Sequence, residues 1–131
     1  MRKTIKKVDV VEALLREKTL IQNQWFNSKG TNKPRKGCEV CAVGAILRAM
    51  SFEKWAIKNK IRLNTMGKVA VKSIAITEFD AIYDHLEKEN YLAALSCYFE
   101  SGHSKRGCIK FVKDHFPDVL TVTVNIADCR D

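Results

Sequence analysis

The chain has 131 residues, of which 46% are hydrophobic and 29% are charged, a composition typical of a globular protein. No segment approaches the roughly 20 consecutive apolar residues of a membrane span. The basic N-terminus also lacks the apolar core and the small-residue cleavage site of a signal peptide. We therefore expect no membrane partner and a cytoplasmic location, and the length predicts one domain over residues 1–131.

The charge balance of the chain is strongly basic. Lysine and arginine together number 23 against 15 aspartates and glutamates, which gives a net charge of +8. A charge of this size attracts both polyanions and acidic protein surfaces. It does not distinguish between these two kinds of partner.

The chain contains five cysteines, and their odd number means that they cannot all pair with one another. In a reducing cytosol they are expected as thiols that act as small buried hydrophobes or as ligands. The five are Cys38, Cys41, Cys97, Cys108 and Cys129.

The first predicted element is a helix that begins at a capping box. Asp9 and Glu12 have the spacing of this motif, in which two side chains satisfy free amides at a helix start. The apolar residues that follow mark one face of a helix of about 16 to 18 residues. This helix ends before a basic loop over residues 27–37, where Gly30 and Pro34 interrupt regular structure.

Two further helices are predicted before the middle of the chain. Apolar residues at helical spacing indicate a helix over residues 38–50. Ser51 is then expected to cap a short helix over residues 52–60. Residues 61–76 carry no clear pattern, because a short alternation of valines lies among lysines and a glycine.

The second half of the chain contains the clearest helical patterns. A second capping box at residues 77–80 begins a helix that reaches about residue 89. Further helices are predicted over residues 91–100 and 105–116, the last of which Pro117 ends.

One β-strand is predicted at the end of the chain. Residues 120–126 alternate apolar and polar side chains and are rich in β-branched types. Since a lone strand is unstable, it needs a partner, which is residues 4–8, residues 68–76 or the same strand of a second copy. The predicted fold is α+β, mostly α, with five or six helices packed around residues 41–50 and a small sheet that includes the C-terminal strand.

The pair Cys38 and Cys41 has the spacing of half a zinc site and of a thiol redox pair. A redox pair normally follows a strand, and here a basic loop comes before it. A zinc site would need more ligands from residues that are scattered singly, namely Cys97, His103, Cys108 or Cys129. We therefore predict no metal and no cofactor.

The same cysteines suggest a nucleophile. A thiolate of Cys38 or Cys41 would be stabilised by the positive end of the helix that starts there. His103 would serve as the base and Asp114 or Asp118 would orient it. The competing interpretation, which we prefer, is a core helix whose small side chains allow another helix to approach closely.

The basic residues predict a binding surface if they converge on one face. They occur at the N-terminus, in the loop after the first helix, on the third helix and on the last helix. The residues that we expect to contact a partner are Lys29, Lys33, Arg35, Lys36, Lys54, Lys58, Lys60, Arg62, Lys105 and Arg106.

The segment Cys41-Ala42-Val43-Gly44-Ala45 follows Trp25 and precedes Arg48-Ala49. This pattern resembles a family of small uncharacterised proteins of phages and bacterial genomes, with a match over about residues 10–50. The family supplies no catalytic residues. The resemblance implies a mobile-element context, in which small proteins often bind a host macromolecule.

The function predicted from these features is that of a small basic accessory protein of a phage or mobile element. It would bind and inhibit a host protein or ribonucleoprotein, as an anti-CRISPR protein does, and act as a monomer or dimer. The first alternative is direct binding of DNA or RNA. The second is a cysteine-dependent hydrolase or transferase that uses Cys38 or Cys41 with His103.

Overall fold

In a computed structural model of the protein, the structure describes residues 2–22, 37, 39–58 and 79–123. The described part is mostly helical with a small antiparallel sheet, which confirms the predicted α+β class. In chain order the elements are β1 (Arg2–Lys6), α1 (Lys7–Arg16), α2 (Ala42–Ala49), α3 (Phe52–Lys58), α4 (Phe79–Glu87), α5 (Tyr91–Glu100), α6 (Lys105–His115) and β2 (Val119–Thr123).

The sheet joins the two ends of the described chain. β1 pairs antiparallel with β2, so that Ile5 lies opposite Leu120 and Lys3 lies opposite Val122. Ile5, Leu120 and Val122 are buried, and directly opposite residues share a face of the sheet. This face therefore packs on the core. Of the three predicted partners for the C-terminal strand, the N-terminal segment pairs with it, over Arg2–Lys6 instead of residues 4–8. Residues 68–76 lie outside the described residues.

The predicted first helix is wrong at both ends. Helix α1 begins at Lys7 and ends at Arg16, and Asp9 lies in its first turn instead of capping it. Residues before Lys7 are extended because they pair with β2. After the helix, Leu20 forms a parallel bridge with Val40, so this segment pairs with another part of the chain. Trp25 lies outside the described residues.

Helix α2 starts later than the sequence predicts. It begins at Ala42 because Val40 takes part in the bridge to Leu20 and Cys41 is the N-cap. At the other end Ser51 adopts a φ of 66°, in the left-handed region, where it turns the chain from α2 into α3. A side-chain cap needs extended backbone, so the predicted capping role of Ser51 is wrong.

The later elements agree closely with the prediction. Helix α5 has the expected bounds, α6 ends one residue early at His115, and β2 begins one residue early at Val119. Thr77 and Glu78 of the second capping box, the residues 59–76 and the predicted end of the last strand lie outside the described residues.

Every described element contributes to one hydrophobic cluster. Helix α2 lies at its centre, in contact with α1, α3 and α5, and its residues 42–47 are buried. Small residues of α5, Ala93 and Ala94, are fully buried, as the core-helix interpretation predicts. None of the helices among the described residues is long and apolar enough to cross a membrane.

Helices α1 and α6 lie antiparallel, joined by a lysine at each end. The Lys7 ammonium donates to the Lys113 carbonyl at 3.3 Å, and the Lys105 ammonium donates to the Glu17 carbonyl at 2.8 Å. Lys7 also approaches the Asp118 carboxylate at 3.9 Å. These contacts hold the start of α1 beside the start of β2 and so fix β1 next to its partner strand.

Candidate functional site

Cys41 is a buried structural thiol. Its side chain keeps 4% of its exposure, and its Sγ accepts a hydrogen bond from the Gly44 amide at 3.4 Å. Burial raises the pKa of this thiol to about 12; the hydrogen bond from the Gly44 amide opposes this increase, and the nearby Glu100 adds to it by a smaller amount. A thiol with this pKa is neutral at pH 7, which argues against Cys41 as the nucleophile. Cys38 lies outside the described residues.

The other described cysteines are also buried thiols. Burial raises the pKa of Cys97 and raises that of Cys108 to about 12, where Cys41 and Glu100 add to the effect. No group of three or more metal-ligating side chains lies together within the described part of the chain. Cys129 lies outside it.

The remaining residues of the cysteine-hydrolase hypothesis each have partners of their own. The His103 ring stacks on the Tyr98 ring, with centroids 3.8 Å apart. The Asp114 carboxylate accepts from Lys110 at 2.7 Å, and this hydrogen bond lowers its pKa. Asp118 is exposed beside Lys7. This hypothesis now depends on Cys38 alone for its nucleophile.

The predicted binding residues fall into three sets. Lys54, Lys58 and Arg106 are exposed. Lys105 is partly buried and donates to the Glu17 carbonyl, so part of its role is to hold α6 against the end of α1. The residues that lie outside the described part are Lys29, Lys33, Arg35, Lys36, Lys60 and Arg62.

A groove of about 490 Å³ lies between β1, one face of α1 and the turn that joins α2 to α3. Its ionisable lining side chains are Lys3, Lys6, Arg16 and Asp9. Asp9 and Arg16 are seven residues apart on α1 and therefore share a face of the helix. Three cations against one carboxylate make the groove electropositive.

Lys3 lines the groove, and its ammonium is held by two contacts. Its ammonium donates to the carbonyl of Met50, the C-cap of α2, at 2.6 Å and lies 5.8 Å from the centre of the Phe52 ring. The carbonyls at a helix C-terminus carry partial negative charge, and an aromatic face also attracts a cation. Both contacts hold the charge at the junction of α2 and α3.

The other two cations are more available to a partner. Lys6 is exposed and forms no ion pair with any residue that the structure describes. Arg16 approaches Glu12 only to 3.9 Å, and both side chains are more than 60% exposed. Ion pairs of this kind contribute little free energy, so Arg16 can exchange Glu12 for another anion at small cost.

The binding residues predicted from the sequence include none of the groove cations. Lys3 and Lys6 belong to the basic N-terminal group over residues 2–7, whereas Arg16 belongs to none of the basic groups. The spacing of Asp9 and Arg16 was the available signal, because it places both on one face of a helix. The contribution of Met50 and Ser51 had no signal in the sequence, since they reach β1 only through the tertiary fold.

No protein-family model, curated protein or solved structure matches this chain. The resemblance to small phage and bacterial proteins therefore stays a prediction.

Proposed function

We propose that this protein is a non-enzymatic binding protein that recognises an acidic surface of another macromolecule, with the groove beside β1 as part of its contact surface. The observation that supports this is the lining of the groove, where Lys3, Lys6 and Arg16 face a single carboxylate, Asp9. The net charge of +8 acts in the same direction.

The sequence predicts a specific form of this function: a phage-type accessory protein that inhibits a host protein or ribonucleoprotein. An exposed cation such as Lys6 contributes mainly to the rate of association and to selectivity against basic partners. A fixed cation such as Lys3 loses little conformational entropy on binding. Occupation of an acidic surface by this groove would then block that surface sterically for other ligands.

The experiment compares two double variants of equal net charge. The groove variant combines Lys6→Gln with Arg16→Gln and so removes two groove cations. The control variant combines Lys88→Gln, at the end of α4, with Lys113→Gln, on α6, and removes two exposed cations outside the groove. Each protein is eluted from immobilised heparin, a polyanionic probe, with a salt gradient. We expect the groove variant to elute at clearly lower salt than the control variant, because its cations converge on one site. Equal elution of the two variants would show that net charge alone governs binding and would refute the role of the groove.

A second measurement distinguishes direct nucleic-acid binding, the first alternative, from binding to an acidic protein surface. For a protein that neutralises phosphates, the slope of log K against log salt falls by about 1 for each phosphate-contacting cation removed. We would titrate double-stranded DNA at several salt concentrations with the wild type and the groove variant. A slope that drops by about 2 in the groove variant supports the nucleic-acid hypothesis.

A further inference from the structure

The hydrogen bonds of the β1–β2 ladder show which backbone groups of β1 face away from β2. The Lys7 amide donates to the Asp118 carbonyl at 2.8 Å, one pair beyond Lys6 and Val119 in the register. In an antiparallel ladder, hydrogen-bonded pairs alternate with pairs that do not bond to each other. Residues 3, 5 and 7 therefore bond to β2, whereas the amides and carbonyls of Thr4 and Lys6 point to the opposite edge.

This outer edge of β1 borders the groove. Residues 3–6 all line it, although successive side chains of a strand point to opposite faces. Val119 of β2, opposite Lys6, lines the groove as well, so the groove follows the edge of β1 and reaches the face of the sheet at Lys6. The Lys6 carbonyl is at the N-cap position, where it accepts the first bond of α1. The Thr4 amide, the Thr4 carbonyl and the Lys6 amide form no hydrogen bond within the part of the chain that the structure describes.

We propose that the groove binds an extended acidic segment of a partner protein, which adds as a third strand to the outer edge of β1. Three backbone groups would bond to the incoming segment, and its carboxylates would pair with Lys6 and Arg16. Apolar side chains that alternate with them would lie on the face of Ile5, beside Met50. This inference rests on the proposed function, because it specifies the acidic surface that the groove recognises.

The chemistry of the edge favours a peptide over a nucleic acid. Thr4 presents both a donor and an acceptor, and a peptide strand supplies a partner for each. Phosphate oxygens are acceptors only, so a nucleic acid could pair with the Thr4 carbonyl only through a base or sugar donor and not through its phosphate chain. The Asp9 carboxylate in the groove would repel a phosphate chain, whereas a peptide can place an uncharged residue there.

The experiment uses a matched pair of proline variants. Thr4 lies directly opposite Thr121 in a pair that is not hydrogen-bonded. Thr4→Pro removes the amide at the groove edge, and Thr121→Pro removes the corresponding amide at the far edge of β2. Neither change removes a ladder hydrogen bond, and proline is tolerated at such edge positions. Circular dichroism and urea unfolding establish that both variants are folded.

The probe is a fluorescein-labelled ten-residue peptide of alternating Glu and Val, with binding followed by anisotropy. We expect Thr4→Pro to weaken its binding by about tenfold, through the lost hydrogen bond and the bulk of the ring, while Thr121→Pro leaves it unchanged. The same peptide with alternate backbone amides methylated keeps its charge and should bind weakly to every variant. Equal affinities of the two proline variants, or no binding of the peptide to the wild type, would overturn strand addition.

Amide hydrogen exchange of the wild type provides a test that needs no variant. Addition of the peptide should protect the amides of Thr4 and Lys6, with little change at Lys3 and Ile5, which already bond to β2. The alternative is that the lysines of β1 protect the sheet edge from pairing with another strand. Unchanged exchange at the Thr4 amide after addition of the peptide would support this alternative and refute the proposal.

These outcomes are distinguishable from failure of the proposed function. If the groove variant loses heparin retention while the proline variants bind the peptide equally, the acidic-surface function stands and strand addition is wrong. If the groove variant keeps its heparin retention, the proposed function itself fails. A single-stranded oligonucleotide of equal charge could also bind more strongly than the peptide, with an affinity that Thr4→Pro leaves unchanged. This result would refute a peptide ligand and favour nucleic acid.

Discussion

The Arg48 guanidinium joins the end of α2 to the segment after α1, because its Nη1 lies 2.6 Å from Glu17 Oε1. Its Nε also donates to Glu53 Oε2 at 2.7 Å, on α3. The three side chains are at most 22% exposed. One cation thus holds two partly buried carboxylates and links three segments of the chain.

Replacement of Arg48 by Met should destabilise the protein by about 2 kcal/mol, because two partly buried carboxylates then lose a shared cation. The residual exposure of Glu17 and Glu53 keeps the cost below that of a fully buried pair. Urea unfolding would measure it. The control is Arg16→Met, which removes the exposed pair with Glu12 and should cost less than about 0.5 kcal/mol. If Glu17→Gln with Glu53→Gln does not recover stability in the Arg48→Met protein, unpaired charge is not the cause.

A second prediction concerns the end of α4. The Asn90 amide donates to the His85 carbonyl at 2.8 Å and the Glu89 amide to the Leu86 carbonyl at 3.1 Å, which is the Schellman arrangement. Glu89 has a φ of 58°, in the left-handed region that favours glycine. We expect Glu89→Gly to raise the free energy of unfolding by about 1 kcal/mol.

The control for this prediction separates backbone from charge. Glu89→Gln removes the anion from the negative end of the helix but keeps the left-handed strain, so it should recover only a few tenths of a kcal/mol. Thermal unfolding of the three proteins gives the comparison. Equal stabilisation by both changes would mean that charge, and not backbone conformation, is the cause.

A third prediction follows from the pKa of Cys41, which burial raises from 9.0 to about 12. Above pH 9 the unfolded thiol loses its proton while the folded one keeps it, so the free energy of unfolding falls as pH rises towards 12. Below pH 9 both states are protonated and the contribution is constant. The slope is at most about 1.4 kcal/mol per pH unit for each thiol.

Cys41→Ser isolates this effect, because serine keeps an N-cap acceptor and does not titrate. Urea unfolding from pH 8 to 11 should show a steeper decline for the wild type than for the variant. Parallel curves would mean that Cys41 ionises in the folded protein.

A fourth prediction tests the cysteine-hydrolase hypothesis. Cys41, Cys97 and Cys108 are buried, so iodoacetamide at pH 8 should modify them only after unfolding in urea. Peptide mapping by mass spectrometry assigns each modification to its cysteine. Rapid modification of Cys41 in the folded protein would restore it as a candidate nucleophile.

Local sequence patterns correctly predicted those helices whose bounds depend only on residues nearby in the sequence. The bounds of α5 follow from apolar residues at helical spacing, and its small residues pack in the core as expected. The first helix was predicted wrongly because Asp9 and Glu12 form a convincing local cap, whereas pairing of β1 with β2 sets the true start at Lys7. Propensity is a weak preference that tertiary pairing overrides.

The sequence by itself determined the basic character of the protein, its mostly helical class and the small-residue helix at its centre, because composition and periodicity record these directly. Only the tertiary structure decided where the charges meet. Lys3 donates to the carbonyl of Met50, which lies 47 residues later in the sequence. The packing of α1 places Arg16 in the lining of the same groove. The direction of the Thr4 amide depends on the register with β2, which no local pattern specifies, so the groove and the strand edge beside it are properties of the folded chain.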